Sequence, residues 1–208
     1  MDVSILTAAP KTELIKLDLA CGQNPKPGFF GVDLHADGME RVDLCKLPWP
    51  WATDSVDELH CSHFLEHVPA RMFEDCDFRL LGASGNEETL ARFSGKDLLC
   101  CMMDEAWRVL KHGGVFNIVV PNARNNRAFQ DPTHRRFFVA ESFLYYNRDW
   151  RQANGLDHYL GNCHFTVEVN HTMPIEMQAL HPEAQARRFT EAWNVIIDWM
   201  PKLVAVKS

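Results

Sequence analysis

IKLDLACGQNPKPGFFGVDL, residues 15–34, is the stretch that decides how the chain folds. Apolar and polar residues alternate at its start, which is typical of a short strand, and the run ends at Ala20, Cys21 and Gly22. A second short strand follows and ends near Asp33. A turn of small residues lets a ligand approach the backbone, and a carboxylate at the tip of the next strand can accept hydrogen bonds from a ribose diol. The stretch therefore predicts the two halves of a nucleoside site.

This pattern resembles the first motif of the class I S-adenosylmethionine-dependent methyltransferases, in particular their small type 11 members. In that family an acid-x-Gly-x-Gly turn holds the cofactor, and an acid ending the second strand binds the ribose. Asp18, Ala20 and Gly22 match the turn, and Asp33 matches the second acid. Ala20 departs from the usual glycine, and we expect this smallest replacement to be tolerated unless the position needs a positive φ.

Two other interpretations of the same stretch are weaker. A nicotinamide-binding turn needs G-x-G-x-x-G and an acid about 20 residues later, whereas only Gly22 is present and Asp33 follows it too soon. An ordinary strand, turn and strand with a surface aspartate is the remaining alternative.

Two later segments extend the resemblance. In the family an Asp-Leu pair lies near the adenine, and Asp43 and Leu44 match it; a solvated loop aspartate is the alternative for Asp43. A strand predicted from Val56 to Cys61 is followed by SHFLEH, which is similar to the family's segment after its fourth strand. An open α/β sheet places its ligands just beyond such strand ends. The residues assigned to the cofactor on this basis are Ser62, His63 and His67.

The same segment also fits the H-x-x-E-H motif of zinc peptidases, with His63, Glu66 and His67 as the reactive residues. That motif needs a helix that sets both imidazoles on one face, together with a third ligand further along. Here it directly follows a strand, and Pro69 comes two residues after His67. A zinc hydrolase therefore remains a minor alternative, and we expect no metal site.

The rest of the chain predicts an α/β fold. The clearest helix spans Asp97 to Lys111 and ends at two glycines, and a buried strand runs from Phe116 to Val120. Candidate closing strands are His164 to Val169 and Leu203 to Val206. Long connections between strands favour a doubly wound, mainly parallel sheet with helices on both faces. The resemblance implies a seven-stranded type of sheet whose last strands are partly antiparallel.

We expect a single Rossmann-like domain over residues 1–208, with an insertion at 70–96 and a substrate-side segment at 122–160. That segment carries a local positive cluster, which suits a carboxylate or phosphate on the substrate. Its members are Arg124, Arg127, Arg135 and Arg136. His134 lies among them and is a candidate general base, because the pKa of histidine is near neutrality. A turn histidine bonded to backbone is the alternative.

Composition limits the remaining classes of function. The 208 residues are 46% hydrophobic and carry a net charge of −7, so broad binding to nucleic acid, including double-stranded DNA, is not expected. The seven cysteines form no C-x-x-C pair, which favours free thiols in a reducing cytoplasm. We see neither a secretory leader nor an apolar run of about 18 residues, so we do not expect a membrane partner.

The resemblance implies an enzyme, a methyltransferase that uses S-adenosyl-L-methionine to methylate a small or anionic acceptor. The acceptor itself and the oligomeric state are not predicted. The alternative from a different class is a module that keeps the nucleoside pocket and has lost catalysis.

Overall fold

The computed structural model describes residues 14–74, 92–158 and 161–207. Within them six strands form one sheet in the order β2–β1–β3–β4–β6–β5. The strands are β1 (Lys16–Leu19), β2 (Phe30–Val32), β3 (Val56–Ser62), β4 (Leu110–Pro121), β5 (Phe165–His171) and β6 (Asp198–Ala205). Strands β2, β1, β3 and β4 are parallel to one another, and β6 is antiparallel to both β4 and β5. The predicted α/β fold is confirmed, including the antiparallel end, with six strands in the described residues.

The described helices are 4 to 12 residues long. They are α1 (Leu98–Val109), α2 (Arg127–Gln130), α3 (Arg148–Ala153), α4 (Ile175–Gln178) and α5 (Pro182–Glu191), with 3₁₀ turns at Leu65–His67 and Ala140–Tyr146. The Asp97 side chain caps α1 by accepting a hydrogen bond from the Leu99 backbone N–H. The apolar face of α1 lies in the core beneath the sheet, where Leu98, Ala106 and Val109 are fully buried.

The connections around β2 contain turns instead of helices. Only residues 20–29 separate β1 from β2, which is shorter than the dozen or so residues usual for a parallel crossover. Pro25 and Pro27 explain this, because each lacks the backbone N–H that a helix needs and restricts the residue before it. The turn that follows β1 is therefore not followed by a helix, and the connection between β2 and β3 also consists of turns.

Strand β4 begins earlier than the sequence pattern predicts. The predicted helix ends at Val109 and not at Lys111, and the chain enters β4 at Leu110. Gly113 adopts a φ of 75°, and the pairing of β3 with β4 shifts register between Val56 and Glu58. The two glycines thus form an irregularity inside β4 instead of ending the helix, because only glycine adopts that φ without strain.

A buried network fixes the loop before β3 on helix α1. The Trp49 backbone N–H donates to Glu105 Oε2 at 2.8 Å, and Arg108 pairs with the same carboxylate at 2.7 Å. The Trp49 indole N–H in turn donates to the Leu44 carbonyl at 2.9 Å. The segment that contains Asp43 and Leu44 is therefore fixed to the core through α1.

The expected insertion at 70–96 falls mostly on residues 75–91, which lie outside the described residues. Its two ends are bonded to each other: the Phe73 backbone N–H donates to the Lys96 carbonyl at 2.7 Å, and the Leu98 backbone N–H donates to the Arg71 carbonyl at 2.9 Å. The chain thus leaves and rejoins the fold at one place. Among the helices that the structure describes, none combines the length and the apolar character needed to span a membrane.

Candidate cofactor cleft and histidine cluster

A cleft of about 360 Å³ opens where β1, β2 and β3 end. This is the position at which open α/β sheets bind ligands, and the volume falls in the range of small-molecule sites. The predicted cofactor residues that line the cleft are Ala20, Asp33, Asp43, Leu44 and His63. Residues far apart in sequence are thus brought together at one edge of the sheet.

The Asp33 carboxylate is held by the backbone on both sides. Its Oδ2 accepts from the Gly22 N–H at 3.0 Å, and its Oδ1 accepts from the N–H groups of His35 and Ala36 at 2.7 and 3.0 Å. Partial burial raises the pKa of Asp33, but these three bonds outweigh it and lower the pKa below its ordinary value. A carboxylate has about four acceptor positions, so Asp33 stays ionised and can still accept a hydroxyl donor.

Two residues that line the cleft have a left-handed backbone conformation. Ala20 has a φ of 55° and His63 a φ of 54°. For a residue with a side chain this conformation costs roughly 1–2 kcal/mol. We expected alanine to be tolerated at position 20 unless that position needs a positive φ. The structure shows a positive φ there, so Ala20 is strained where the family's usual glycine would not be. Strain of this kind accumulates at ligand sites.

Asp18 and Gly22 shape the turn but are not among the residues that line the cleft. Asp18 is 4% exposed; its Oδ2 accepts from the Lys26 N–H at 2.7 Å and its Oδ1 lies 2.7 Å from His60 Nδ1. The aspartate therefore connects the turn after β1 to strand β3. Gly22 contributes its N–H to Asp33.

The remaining predicted cofactor residues lie at different depths. Asp43 Oδ1 accepts from the Cys45 backbone N–H at 3.0 Å, which orders the turn beside the cleft. Leu44 is buried and offers an apolar wall. Ser62 ends β3, and neither it nor His67 lines the cleft. Sequence reasoning missed His35 and Phe64, which do line it; His35 lies two residues after Asp33 and Phe64 directly follows His63, and that proximity in sequence was the available signal.

A second group of side chains lies beside the cleft. Glu66, His67 and His134 place one potential ligand atom each within 4.8 Å of one another, and the two imidazole rings lie 4.7 Å apart, centre to centre. The backbone N–H groups of Arg135 and Arg136 both donate to the Glu66 carbonyl, which brings the segment with His134 against the end of β3. Sequence separation hid this contact, and no local pattern predicts it.

His63 joins this cluster to the cleft. Its Nδ1 lies 3.2 Å from Glu66 Oε1. That hydrogen bond raises the pKa of His63 and outweighs the opposing effect of partial burial. The helix that the H-x-x-E-H motif requires does not form, since Leu65–His67 is a single 3₁₀ turn and His63 lies before it with a positive φ. The geometry therefore does not support a zinc hydrolase that uses His63, Glu66 and His67.

The arginines of the predicted positive cluster have separate partners. Arg124 donates to the carbonyls of Phe189, Thr190 and Ala192 near the end of α5. Arg136 donates to the carbonyls of Val68 and Pro69 and pairs with Asp97 at 2.9 Å. Arg127 pairs with Asp198 at 3.2 Å, and Arg135 donates to the Pro132 carbonyl at 3.1 Å. Arg127 and Arg135 are exposed and the other two are half-buried, so the exposed pair is the better placed to meet a solute.

His134 occupies the turn position that the sequence analysis gave as the alternative. Its Nδ1 lies 2.9 Å from the Ala128 carbonyl oxygen. A carbonyl only accepts, so Nδ1 carries the proton and Nε2 keeps its lone pair. The histidine is bonded to backbone and still has one nitrogen that can accept a proton.

Comparisons with known proteins agree with this architecture. Neither a protein-family model nor a curated protein matches the chain. A SAM-dependent methyltransferase from Archaeoglobus fulgidus superposes with a TM-score of 0.54 at 15% identity, covering 93% of this chain and 87% of that one. A SAM-dependent methyltransferase from Methanosarcina mazei gives a TM-score of 0.48 at 12% identity, covering 94% of each chain. The first of these superpositions shows that the chain has the fold of the class I S-adenosylmethionine-dependent methyltransferases.

Proposed function

We propose that the protein binds S-adenosyl-L-methionine in the cleft at the ends of β1, β2 and β3 and transfers its methyl group to a small or anionic acceptor. One observation carries this proposal: the fold brings Asp33 and the Asp43–Leu44 pair to one cleft at the ligand-binding edge of the sheet. Fold alone does not fix function, so the argument rests on what these residues offer to a ligand.

The donors and acceptors of the cleft fit an adenosyl group. Asp33 is ionised and faces the cleft, where its carboxylate would accept a ribose hydroxyl. Asp43 would accept from the adenine amine, and the buried Leu44 side chain would pack against the ring. The small side chain of Ala20 would let the ligand approach the turn closely. Asp18 and Gly22 would stabilise that turn through their hydrogen bonds with Lys26 and Asp33.

The bound sulfonium supplies an electrophilic methyl group, so the protein has to align the acceptor and exclude water. Ser62, His63 and His67 would form the side of the site that follows β3. His134 would take a proton from a protonated acceptor through its Nε2. Arg127 and Arg135 would attract a carboxylate or phosphate on the acceptor, whereas Arg124 and Arg136 would hold the surrounding backbone.

Calorimetric titration with S-adenosylmethionine and its demethylated product tests the cofactor. The wild-type protein should bind both, and Asp33→Ala should weaken binding at least about tenfold, because a hydrogen bond to a charged group contributes roughly 1.5–3 kcal/mol. Asp37→Ala is the matched control, since this exposed aspartate on the same loop pairs only with Arg41 at 3.4 Å in the described residues. Circular dichroism checks that each variant is folded. A folded wild type that binds neither compound would overturn the proposal.

Turnover separates the enzyme from a module that only binds the nucleoside. Transfer of a labelled methyl group to any of a panel of small acids, phosphates and phenols would establish catalysis. Binding without transfer to any of them would favour the binding module.

The free thiols of the described cysteines support a reducing compartment such as the cytoplasm.

A further inference from the structure

The hydrogen bonds of the histidine cluster, which consists of Glu66, His67 and His134, leave each of the two imidazoles with a lone pair on Nε2. The Thr133 hydroxyl donates to Asp131 Oδ1 at 2.7 Å, so the Thr133 oxygen accepts from His67 Nδ1, which lies 2.9 Å away. His134 Nδ1 donates to the Ala128 carbonyl. Both imidazoles are therefore held as the tautomer with the proton on Nδ1, and each leaves Nε2 with a lone pair.

Glu66 provides the third donor. Its side chain is 1% exposed, and Oε1 is bonded to His63. Oε2 is buried and has no hydrogen-bond partner within residues 14–74, 92–158 and 161–207. A buried acceptor without a partner costs about 1–3 kcal/mol, which makes this oxygen a site that a cation would stabilise.

We propose that Glu66, His67 and His134 bind a divalent first-row transition-metal ion, zinc above all, through Oε2 of the glutamate and Nε2 of each histidine. Two imidazoles and one carboxylate are the donor set of catalytic zinc sites and of non-haem iron sites, in which further coordination positions stay open. The Thr133–Asp131 pair behind His67 and the Ala128 carbonyl behind His134 are the hydrogen-bonding groups that orient such ligands.

The distances need a small adjustment. Donors at 2.0–2.1 Å from one tetrahedral ion lie about 3.3 Å apart, whereas one potential ligand atom from each of the three residues lies within 4.8 Å of the others. Side-chain rotations that move the ligand atoms by up to about 1.5 Å close that difference. His67 and His134 are only half-buried, so an ion can reach the site from solvent.

The ion would lie next to the cofactor cleft, because Glu66 Oε1 is bonded to His63 and His63 lines the cleft. With the ion bound, His134 Nε2 is a ligand and cannot accept a proton. The ion would then replace His134 as the group that activates the acceptor, because an open position on it would bind an oxygen of the acceptor and lower the pKa of that oxygen. This role rests on the proposed function, whereas the binding of the ion does not.

Equilibrium dialysis of chelator-treated protein against zinc, without S-adenosylmethionine, tests the site. The wild type should bind one equivalent, and cobalt(II) in its place should give visible absorption bands; magnesium, which prefers oxygen ligands, should not compete. His134→Ala should weaken zinc binding at least about 100-fold, and Thr133→Val, which keeps all three ligands, about tenfold. His181→Ala removes an exposed histidine at the start of α5 and should change nothing.

Glu66→Gln preserves the size of the side chain and should also abolish binding, so the test does not depend on the folding of the histidine variants. Tighter binding of iron(II) or manganese(II) than of zinc would keep the site and change its ion. A folded wild type that takes up no stoichiometric zinc, cobalt, iron or manganese would overturn the proposal. So would zinc uptake that His134→Ala and Glu66→Gln leave unchanged. Because no cofactor is added, these outcomes are independent of S-adenosylmethionine binding.

Discussion

Two buried carboxylates near the candidate cofactor cleft are each bonded to a histidine, and the two pairs differ in how many of their oxygens have partners. In the first pair, Asp18 and His60 lie 2.7 Å apart and their side chains are 5% and 15% exposed. In the second pair, Glu66 and His63 lie 3.2 Å apart and are 1% and 38% exposed. Both oxygens of Asp18 have partners, whereas Glu66 Oε2 has none among the described residues. The first pair is thus complete within the protein, and the second has capacity left for a ligand.

Removing the complete pair should have the largest effect. Asp18→Ala leaves the Lys26 N–H and the His60 ring without their acceptor in a buried setting. We expect the free energy of unfolding to fall by about 3 kcal/mol, measured by urea denaturation. Asp18→Asn keeps one acceptor and should lose less. A loss below about 1 kcal/mol for Asp18→Ala would show that the pair does not support the turn.

Relieving the backbone strain at Ala20 should increase the stability of the protein, whereas removing Asp18 should decrease it. Ala20 has a φ of 55°, so Ala20→Gly should raise the free energy of unfolding by about 1 kcal/mol after the greater flexibility of unfolded glycine is included. Ala52→Gly is the matched control, because Ala52 is exposed and is not among the residues with positive φ. It should destabilise by about 0.4–1 kcal/mol in the same denaturation assay. Equal signs for the two variants would contradict the assignment of strain to position 20.

The incomplete pair should be less sensitive than the complete one. Glu66→Gln retains an acceptor for His63 and removes an oxygen that has no partner in the part of the chain that is described. In metal-free protein we therefore expect a change within about 1 kcal/mol, smaller than that of Asp18→Asn. Thermal or urea denaturation in the presence of a chelator measures both. A larger loss for Glu66→Gln would mean that Oε2 has a partner of its own in the folded protein.

The same comparison shows which features a sequence can predict. Asp33 was predictable because it follows a short apolar run, and strand ends meet at one edge of a parallel sheet. Asp43 was predictable because Asp43 and Leu44 match the Asp-Leu pair of the family that the chain resembles. The absence of a helix after the first turn follows from Pro25 and Pro27, although the long connections between the strands favoured helices on both faces of the sheet. These features depend on neighbours in sequence, and the signal for them lies in a few residues.

Features that depend on distant contacts were not predictable. The contact of His67 with His134 arises only when residues 133–136 pack against the end of β3. The lack of a partner for Glu66 Oε2 among the described residues is likewise a tertiary feature that no local pattern records. The arginines form a positive cluster in sequence, but backbone carbonyls of α5 and of the segment after β3 bind Arg124 and Arg136. A sequence pattern records charge, whereas the partner of each charge is decided by tertiary packing.

The smallest expected effect concerns Asp33, a third carboxylate at the cleft whose partners are backbone groups. Its pKa in the folded protein lies below the ordinary value of 3.8, so its contribution to stability is present above pH 3.8 and is lost as the pH falls through the folded pKa. The difference in unfolding free energy between wild type and Asp33→Asn should therefore be constant near neutrality and shrink in acid. Burial raises the pKa of Asp57, but the contact with Lys111 at 2.8 Å and a hydrogen bond from the Ile15 backbone N–H outweigh it and lower the pKa. Added salt should reduce the effect of Asp57→Asn more than that of Asp33→Asn, because a partly exposed ion pair is screened and hydrogen bonds to backbone are not. Equal salt sensitivity of the two variants would show that Asp33, too, is stabilised mainly by a charged side chain that added salt screens.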